Sequence, residues 1–428
     1  MSGHLNGAVD RALGSTSRLG PGLPKEDNVR TAVDGSKGRR RWLLFAVLAL
    51  LVGALAFVAA GCGGDDEEGG ADTAATEEGG GEGSIWVLLP DSASSARWEA
   101  DDRRFFGEAF DEAGVEHTIV NAEGDAQQQQ AQAEQAIADG ASVILLVSLD
   151  TGSGAAIIDQ AKEAGVKVVE YDRFNTGGSG GDAYVSFDNV AVGATMAEIL
   201  EPEIEALEGT PRVVMLNGGE EDNNSFLFKS GYEETVKEHV DGGDWELAAD
   251  QFTPGWDNQE AQRIMEQILV DANNDVDAVF AANDGLANSA INALESAGLD
   301  ATEIPVSGQD ATAAGMQNIL LGKQTMSVYK PIEAEAEVAA AVALALRAGE
   351  DISGVESEFE FKLIGIEAET GQPTESAEGE GVVAYFALTP IGVTADNIAD
   401  TVIADGFRTV EEICEGDVAQ TDFCQENA

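Results

Sequence analysis

Residues 142–173 read SVILLVSLDTGSGAAIIDQAKEAGVKVVEYDR, and this stretch decides the fold class. Its ends, 142–147 and 167–171, are short runs dominated by Val, Ile and Leu, as strands buried on both faces of a parallel sheet require. Between them 154–164 has helical apolar spacing and stops at Gly165. A strand, a helix and a second strand in that order form a βαβ unit, whose strands run parallel.

The same rhythm extends in both directions. Further strand candidates lie at 85–89, 184–187, 212–216, 277–281, 304–307 and 325–329, and further helices at 127–139, 259–271 and 285–297. The body from 85 to 428 exceeds what one such sheet accommodates and suits two. A break follows Ser186-Phe187-Asp188-Asn189, where one strand series ends and a long helix begins. The expected class is α/β, with two doubly wound parallel sheets. The Gly-rich, acidic stretches 177–182 and 367–381 read as surface loops.

The C-terminal ends of the strands share one character. They carry Asp91, Asp150, Asp172-Arg173, Asn217, Asn283-Asp284, Gln309-Asp310 and Lys330. Open α/β sheets bind ligands in the crevice beyond these ends. One Asp or Asn there is more often a turn former or helix N-cap, but seven polar strand ends point to a ligand cleft.

Charge excludes one class of partner. The chain has 79 acidic and 23 basic residues among 428, a formal charge of -56. A polyanion would be repelled, so nucleic acid is not expected. Apolar residues make up 43 %, enough for a sizeable core. The basic residues are unevenly placed: eight fall in 1–61 against four acids, leaving 15 basic and 75 acidic groups beyond.

That N-terminal segment reads as an export signal. Lys37 and Arg39-Arg40-Arg41 precede an uncharged apolar run, 42–61, which closes on Ala59-Ala60-Gly61-Cys62. The ending resembles a bacterial lipobox, with Cys62 as the acylated mature N-terminus and Ala59 where Leu is usual. The alternative is an uncleaved membrane anchor, for which the run is just long enough. The start codon itself is open, because the leader before Lys37 is long. Either reading keeps the basic end inside and exports the acidic body. Residues 62–84 then form an acidic, Gly-rich tether with nothing to build a core. Cys414 and Cys424 are expected to form a disulfide if exported and to be free thiols otherwise.

Catalytic patterns fail on context. Gly177-Gly178-Ser179-Gly180-Gly181 matches GxSxG but precedes a strand instead of turning from strand to helix. His117 and His239 have no triad partners in pattern. Gly152-Ser153-Gly154 opens a helix, yet Ile157 stands at the third glycine position of a dinucleotide fingerprint and no Walker lysine follows. No regular calcium loop occurs, and carboxylate pairs carry little weight in so acidic a chain. No enzyme activity, metal or cofactor is expected.

Two tryptophans have polar flanks, Arg97-Trp98 and Gly255-Trp256-Asp257. A sugar offers C–H faces for ring stacking and hydroxyls that both donate and accept. One Trp from each lobe would suit its two faces, although an isolated Trp is more often core.

These residues carry a resemblance. Arg97-Trp98, Tyr171-Asp172-Arg173, Ser186-Phe187-Asp188-Asn189, Asp222-Asn223-Asn224, Asn283-Asp284, Ser307-Gly308-Gln309-Asp310 and the run 324–332 (QTMSVYKPI) resemble the bacterial D-xylose-binding proteins of sugar ABC importers. Leu388-Thr389-Pro390-Ile391 and 400–407 (DTVIADGF) fit the same family. The similarity runs in order from 85 to 408. It implies a type I periplasmic-binding-protein fold, with two lobes and a three-segment hinge. Lobe 1 would hold 85–187 and about 330–352, lobe 2 would hold 188–329 and about 353–408, and 409–428 would be a tail.

The resemblance also implies site roles. Arg97, Asp172, Arg173, Asn224, Asn283, Asp310 and Lys330 would bond sugar hydroxyls and ring oxygen, and Trp98 and Trp256 would stack. Asn223 remains an alternative to Asn224. The implied partners are a monosaccharide of the xylose type, a membrane permease with its ATPase, and the membrane through lipid on Cys62. The receptor itself would be a monomer. A sensor presenting the sugar to a membrane signalling protein would have the same cleft. A transcription repressor of this fold would need a basic helix-turn-helix where the export signal stands. Three departures from the family pattern are visible, one of them an acidic insertion at 367–381. The stretch 99–104, EADDRR, has one acid more than usual after Trp98, and the tail after Phe407 is additional. Neither the tail nor 367–381 is expected to touch the cleft.

Overall fold

The computed structural model describes residues 83–355, 360–366, 373–374 and 383–427. The export signal, Cys62, nearly all of the tether and most of 367–381 lie outside the described residues. Among the described residues no helix is long and apolar enough to cross a membrane.

Two mainly parallel sheets organise the chain. The first has eight strands: β1 (Ser84–Leu89), β2 (His117–Asn121), β3 (Ala141–Leu146), β4 (Lys167–Tyr171), β5 (Ala183–Phe187), β10 (Glu360–Ile366), β11 (Pro373–Thr374) and β12 (Val383–Leu388). Their spatial order is β11-β10-β12-β5-β4-β3-β1-β2, with β10 antiparallel to β11 and to β12. The quoted βαβ unit is β3, helix α3 (Thr151–Glu163) and β4, with Leu145 opposite Val169 in parallel register. Its inner strand residues are fully buried, including Val143, Ile144, Leu145, Val168 and Val169.

The second sheet contains β6 (Arg212–Asn217), β7 (Glu246–Phe252) and β8 (Ala278–Ala281), in the order β7-β6-β8. It continues through parallel bridges from Val279 to Val306 and from Gln309 to Val328. There the antiparallel pair β9 (Ser327–Tyr329) and β13 (Ile391–Val393) begins. The expected strand at 304–307 is therefore a single bridge in place of a ladder.

The remaining long helices cover these sheets: α1 (Arg103–Ala113), α2 (Ala126–Ala138), α4 (Asn189–Glu205), α5 (Asn223–Gly242), α6 (Asn258–Asp271), α7 (Asp284–Ser296), α8 (Ala313–Leu320) and α9 (Ile332–Ala348). Several are started by Asp or Asn residues in the loops that follow strands. Asp150, Asp188, Asp222 and Asn283 each accept a bond from a backbone N–H in the following first turn. Helices α4 and α5 pack closely because both contribute glycine. A Cβ on Gly193 would lie 1.9 Å from Phe228 O, and one on Gly231 would lie 2.2 Å from Val190 O.

The chain passes between the sheets at three places: β5 to α4, β9 to α9, and β12 to β13. These crossings lie side by side, since Asp188 N donates to Leu388 O at 2.9 Å and Ile391 pairs with Tyr329. One expected boundary changes. Strand β12 pairs in parallel with β5, and β10 pairs with β12, so 360–388 complete the first sheet. The assignment of everything after about 353 to the second lobe holds only from β13 onward. Cys414 and Cys424 are joined by a disulfide that staples the two short helices α10 (Val410–Ile413) and α11 (Asp422–Asn427).

Candidate functional site

The strand ends of the two sheets face each other across one narrow cavity, which their side chains nearly fill. All nine residues selected from sequence line it: Arg97, Trp98, Asp172, Arg173, Asn224, Trp256, Asn283, Asp310 and Lys330. Ser94, Ser95, Asp222, Phe228 and Gln309 complete the lining. Asn223 is absent from it, and its Nδ2 is buried with no hydrogen-bond partner.

Asp172 is the hub. It follows β4 with φ of 59°, in the left-handed region that non-glycine residues avoid. Asp172 N donates to Val185 O at 2.8 Å, while Ser186 Oγ and Asn224 Nδ2 donate to its carbonyl at 2.8 and 3.0 Å. Those bonds fix an unfavourable backbone so that the carboxylate points into the cavity. Trp256 and Asp310 also have positive φ, 53° and 92°. The Asp172 carboxylate accepts from Arg97 Nη1 at 2.8 Å, Lys330 Nζ at 3.2 Å and Asn224 Nδ2 at 3.0 Å. Burial opposes its ionisation, but Lys330, Arg97 and Arg173 together outweigh burial and hold its pKa at about 2. It is an acceptor at any physiological pH.

Arg97 is committed to acids on three elements. A π-helical turn, Trp98–Asp102, follows it, and Asp102 forms a two-point bond with it: Nε to Oδ2 at 2.9 Å and Nη2 to Oδ1 at 2.8 Å. Glu335 on α9 accepts from Arg97 Nη2 at 2.7 Å. Arg97 thus acts chiefly as a post that orients Asp172. Its guanidinium also lies 4.3 Å from the Trp98 ring centre, and Trp98 Nε1 donates to Ser94 Oγ at 3.1 Å. Asp102 and Glu335 were not singled out from sequence. Burial raises both carboxyls despite the pull of Arg97, Glu335 to about 8.

The second lobe contributes acceptors, amides and aromatics. Asn189 Nδ2 donates to Asn224 Oδ1 at 2.8 Å and so sets which way the Asn224 amide faces. Arg173 Nε lies 3.0 Å from Asp222 Oδ2. Asp310 accepts from Ser95 Oγ at 3.1 Å and from Gln309 Nε2 at 2.8 Å. The loop carrying Asp310 is pinned by buried Asp284, which accepts from Thr312 N, Gln324 Nε2 and Ser327 Oγ, each at 2.8 Å. Burial lifts Asp284 to about 6 against those bonds. Trp256 is held by shape: a Cβ on Gly218 would lie 2.1 Å from its indole, and Phe228 packs edge-on to it at 6.3 Å. Its Nε1 and Gln309 Oε1 are buried without partners.

Three other strand-end residues serve structure. Asp91 holds the Ser94 turn, Asp150 caps α3, and Asn217 bonds Asp250 and Tyr232. The cavity therefore joins a fixed carboxylate, oriented amides, cationic groups and one tryptophan from each lobe. That donor set recognises a compact molecule with several hydroxyls and an apolar face.

Comparison with known proteins agrees with this geometry. The pattern of the family described as periplasmic binding protein domain matches residues 86–351. The D-xylose-binding periplasmic protein of Escherichia coli strain K12 is 34 % identical over 323 residues, 76 % of this chain and 90 % of that protein. The protein of the same description from Haemophilus influenzae is 34 % identical over 326 residues, 76 % of this chain and 91 % of that protein. A solved structure, an ABC transporter solute-binding protein from Clostridium phytofermentans with bound β-D-glucose, superposes with a TM-score of 0.66 at 27 % identity. That match covers 77 % of this chain and 99 % of the other.

Proposed function

This chain belongs to the periplasmic binding protein family, and from that premise we propose that it captures D-xylose outside the membrane and delivers it to an ABC permease. The carrying observation is that nine residues from both lobes converge on one cavity with a fixed carboxylate and a tryptophan from each side. The relatives whose names mention xylose span most of both chains, which favours a pentose. The glucose-bound neighbour shows that the same fold accepts a hexose. The relatives are binding proteins, so the chain carries no chemical step.

The mechanism is hinge closure. Asp172 and Lys330 present charged groups to hydroxyls, and Asn224, Asn283 and Asp310 meet the sugar from the other side. Trp98 and Trp256 cover its C–H faces. A ligand that touches both lobes only when they are together shifts the population toward the closed form. The three parallel crossings act as the hinge. Anchoring follows from the leader: a lipid on Cys62 and the acidic tether would hold the receptor near its permease, as a single protomer.

The test is calorimetric titration of the protein with xylose, ribose, arabinose, glucose and galactose. Binding of xylose ahead of the others supports the reading, and binding of none of these sugars removes it.

A further inference from the structure

Two of the stretches that depart from the family pattern, 99–104 and the tail after Phe407, meet in the fold. A π-helical turn holds one residue more than an α-helical turn needs, and Trp98–Asp102 is such a turn. It aims two consecutive buried acids at different arginines. Asp102 faces Arg97 in the cavity wall, whereas Asp101 Oδ2 lies 3.4 Å from Arg408 Nη2 and 3.5 Å from Nη1. Arg104 reaches the other Asp101 oxygen at 3.8 Å from the exposed side.

Among the described residues, Arg408 is otherwise bonded to residues of the second lobe. Its Nε donates to Ala311 O at 3.2 Å and its Nη1 to Phe407 O at 3.0 Å. The guanidinium lies 3.8 Å from the Phe407 ring, which packs against Tyr329 at 5.1 Å. The following tail is fastened to the same lobe: Gln317 Nε2 donates to Ile413 O at 3.1 Å, Ile413 is buried, and the disulfide closes the segment. Ala311 is the neighbour of Asp310, so the anchor of Arg408 is one residue from the cavity.

We propose that Asp101 and Arg408 form a strap that ties the lobes together and raises sugar affinity from outside the binding cavity. Asp101 moves with the first lobe and Arg408 with the second, so opening separates them. Arg408 is already held by Ala311, Phe407 and the tail, and little side-chain freedom is lost when Asp101 arrives. Both side chains are largely buried, 14 % and 8 % exposed, which limits screening by salt. An interaction present only in the closed form raises affinity by the factor by which it favours closure.

The strap rests on the sugar-receptor reading for one of its two readouts. In the full-length protein, Asp101→Asn and Arg408→Gln are compared singly and together, by xylose titration and by the distance between two fluorophores, one on each lobe. Each single change is expected to weaken binding about three- to tenfold. The double change should be no weaker than either single, and the sugar-free distance should lengthen. The exchange Asp101→Arg with Arg408→Asp should recover part of the affinity, which a folding defect would not do. Affinity and distance both unchanged in the single variants, or losses that multiply in the double, overturn the strap. Should the wild type bind no sugar, the proposed function falls while the distance measurement still decides the strap.

Discussion

Asn224 Nδ2 reaches across the cleft to Asp172, donating at 3.0 Å both to its Oδ1 and to its backbone carbonyl. Asp172 directly follows β4 of the first sheet, and Asn224 lies in the first turn of α5 in the other lobe. This pair couples lobe position to the cavity's one strongly acidic carboxylate.

Asp172→Asn keeps the size and removes the charge that balances Arg97 and Lys330. Lys330 would then be buried without its ion-pair partner while Arg97 keeps Asp102 and Glu335, and xylose affinity is expected to fall by about 2 to 5 kcal/mol. Calorimetry on folded variant protein checks this. An affinity close to that of the wild type would mean that Asp172 does not hold the ligand.

Trp256→Ala should cost roughly 1 to 3 kcal/mol of binding, the scale of other stacking sites. Gly218→Ala is the subtler test, because its new Cβ would lie 2.1 Å from the Trp256 indole without lining the cavity itself. Displacing the ring should weaken binding in the same direction. Loss in Trp256→Ala with none in Gly218→Ala would show that the ring can shift and still stack.

Glu335 makes stability depend on pH in a defined sense. Its carboxyl is raised from an ordinary 4.5 to about 8, first by burial. Between those values the folded protein keeps a proton that the unfolded chain has released. The group's contribution is complete below about pH 4.5, declines as pH rises, and is lost above about pH 8, by up to roughly 1.4 kcal/mol per pH unit. Glu335→Gln removes this slope. Urea melts of both proteins across pH 5 to 8 should therefore converge or cross, and parallel profiles would place Glu335 among ordinary carboxylates.

How much of this was legible in the sequence depended on the type of interaction. The βαβ unit was readable because β3 and β4 are buried on both faces and their apolar runs are local. Most cavity residues were readable because they stand at the end of a strand or beside an aromatic flanked by polar groups, whereas Asn224, in the first turn of α5, was reached only through the family resemblance. The edge strands were not. β2 begins at His117 and is half-buried along most of its length, and β7 carries exposed Glu246, Leu247 and Gln251. The return of β12 to β5 was assigned to the wrong lobe, since a pairing between 183–187 and 383–388 leaves no local signal. Asp101, Asp102 and Glu335 could not be told from the other acids, because only tertiary packing brings Arg97 and Arg408 to them. The contact of Arg408 in the tail with Asp101 of the first lobe likewise leaves no local signal.

The central claim is capture of a pentose by two lobes that close on it, and one titration tests it most directly. Xylose is added to the protein while heat and inter-lobe distance are followed together. The account predicts saturable binding to one site, tighter for xylose than for glucose, with the lobes drawing together as the site fills. Absence of heat with xylose and with every related aldose, or binding that leaves the lobe separation unchanged, would contradict it.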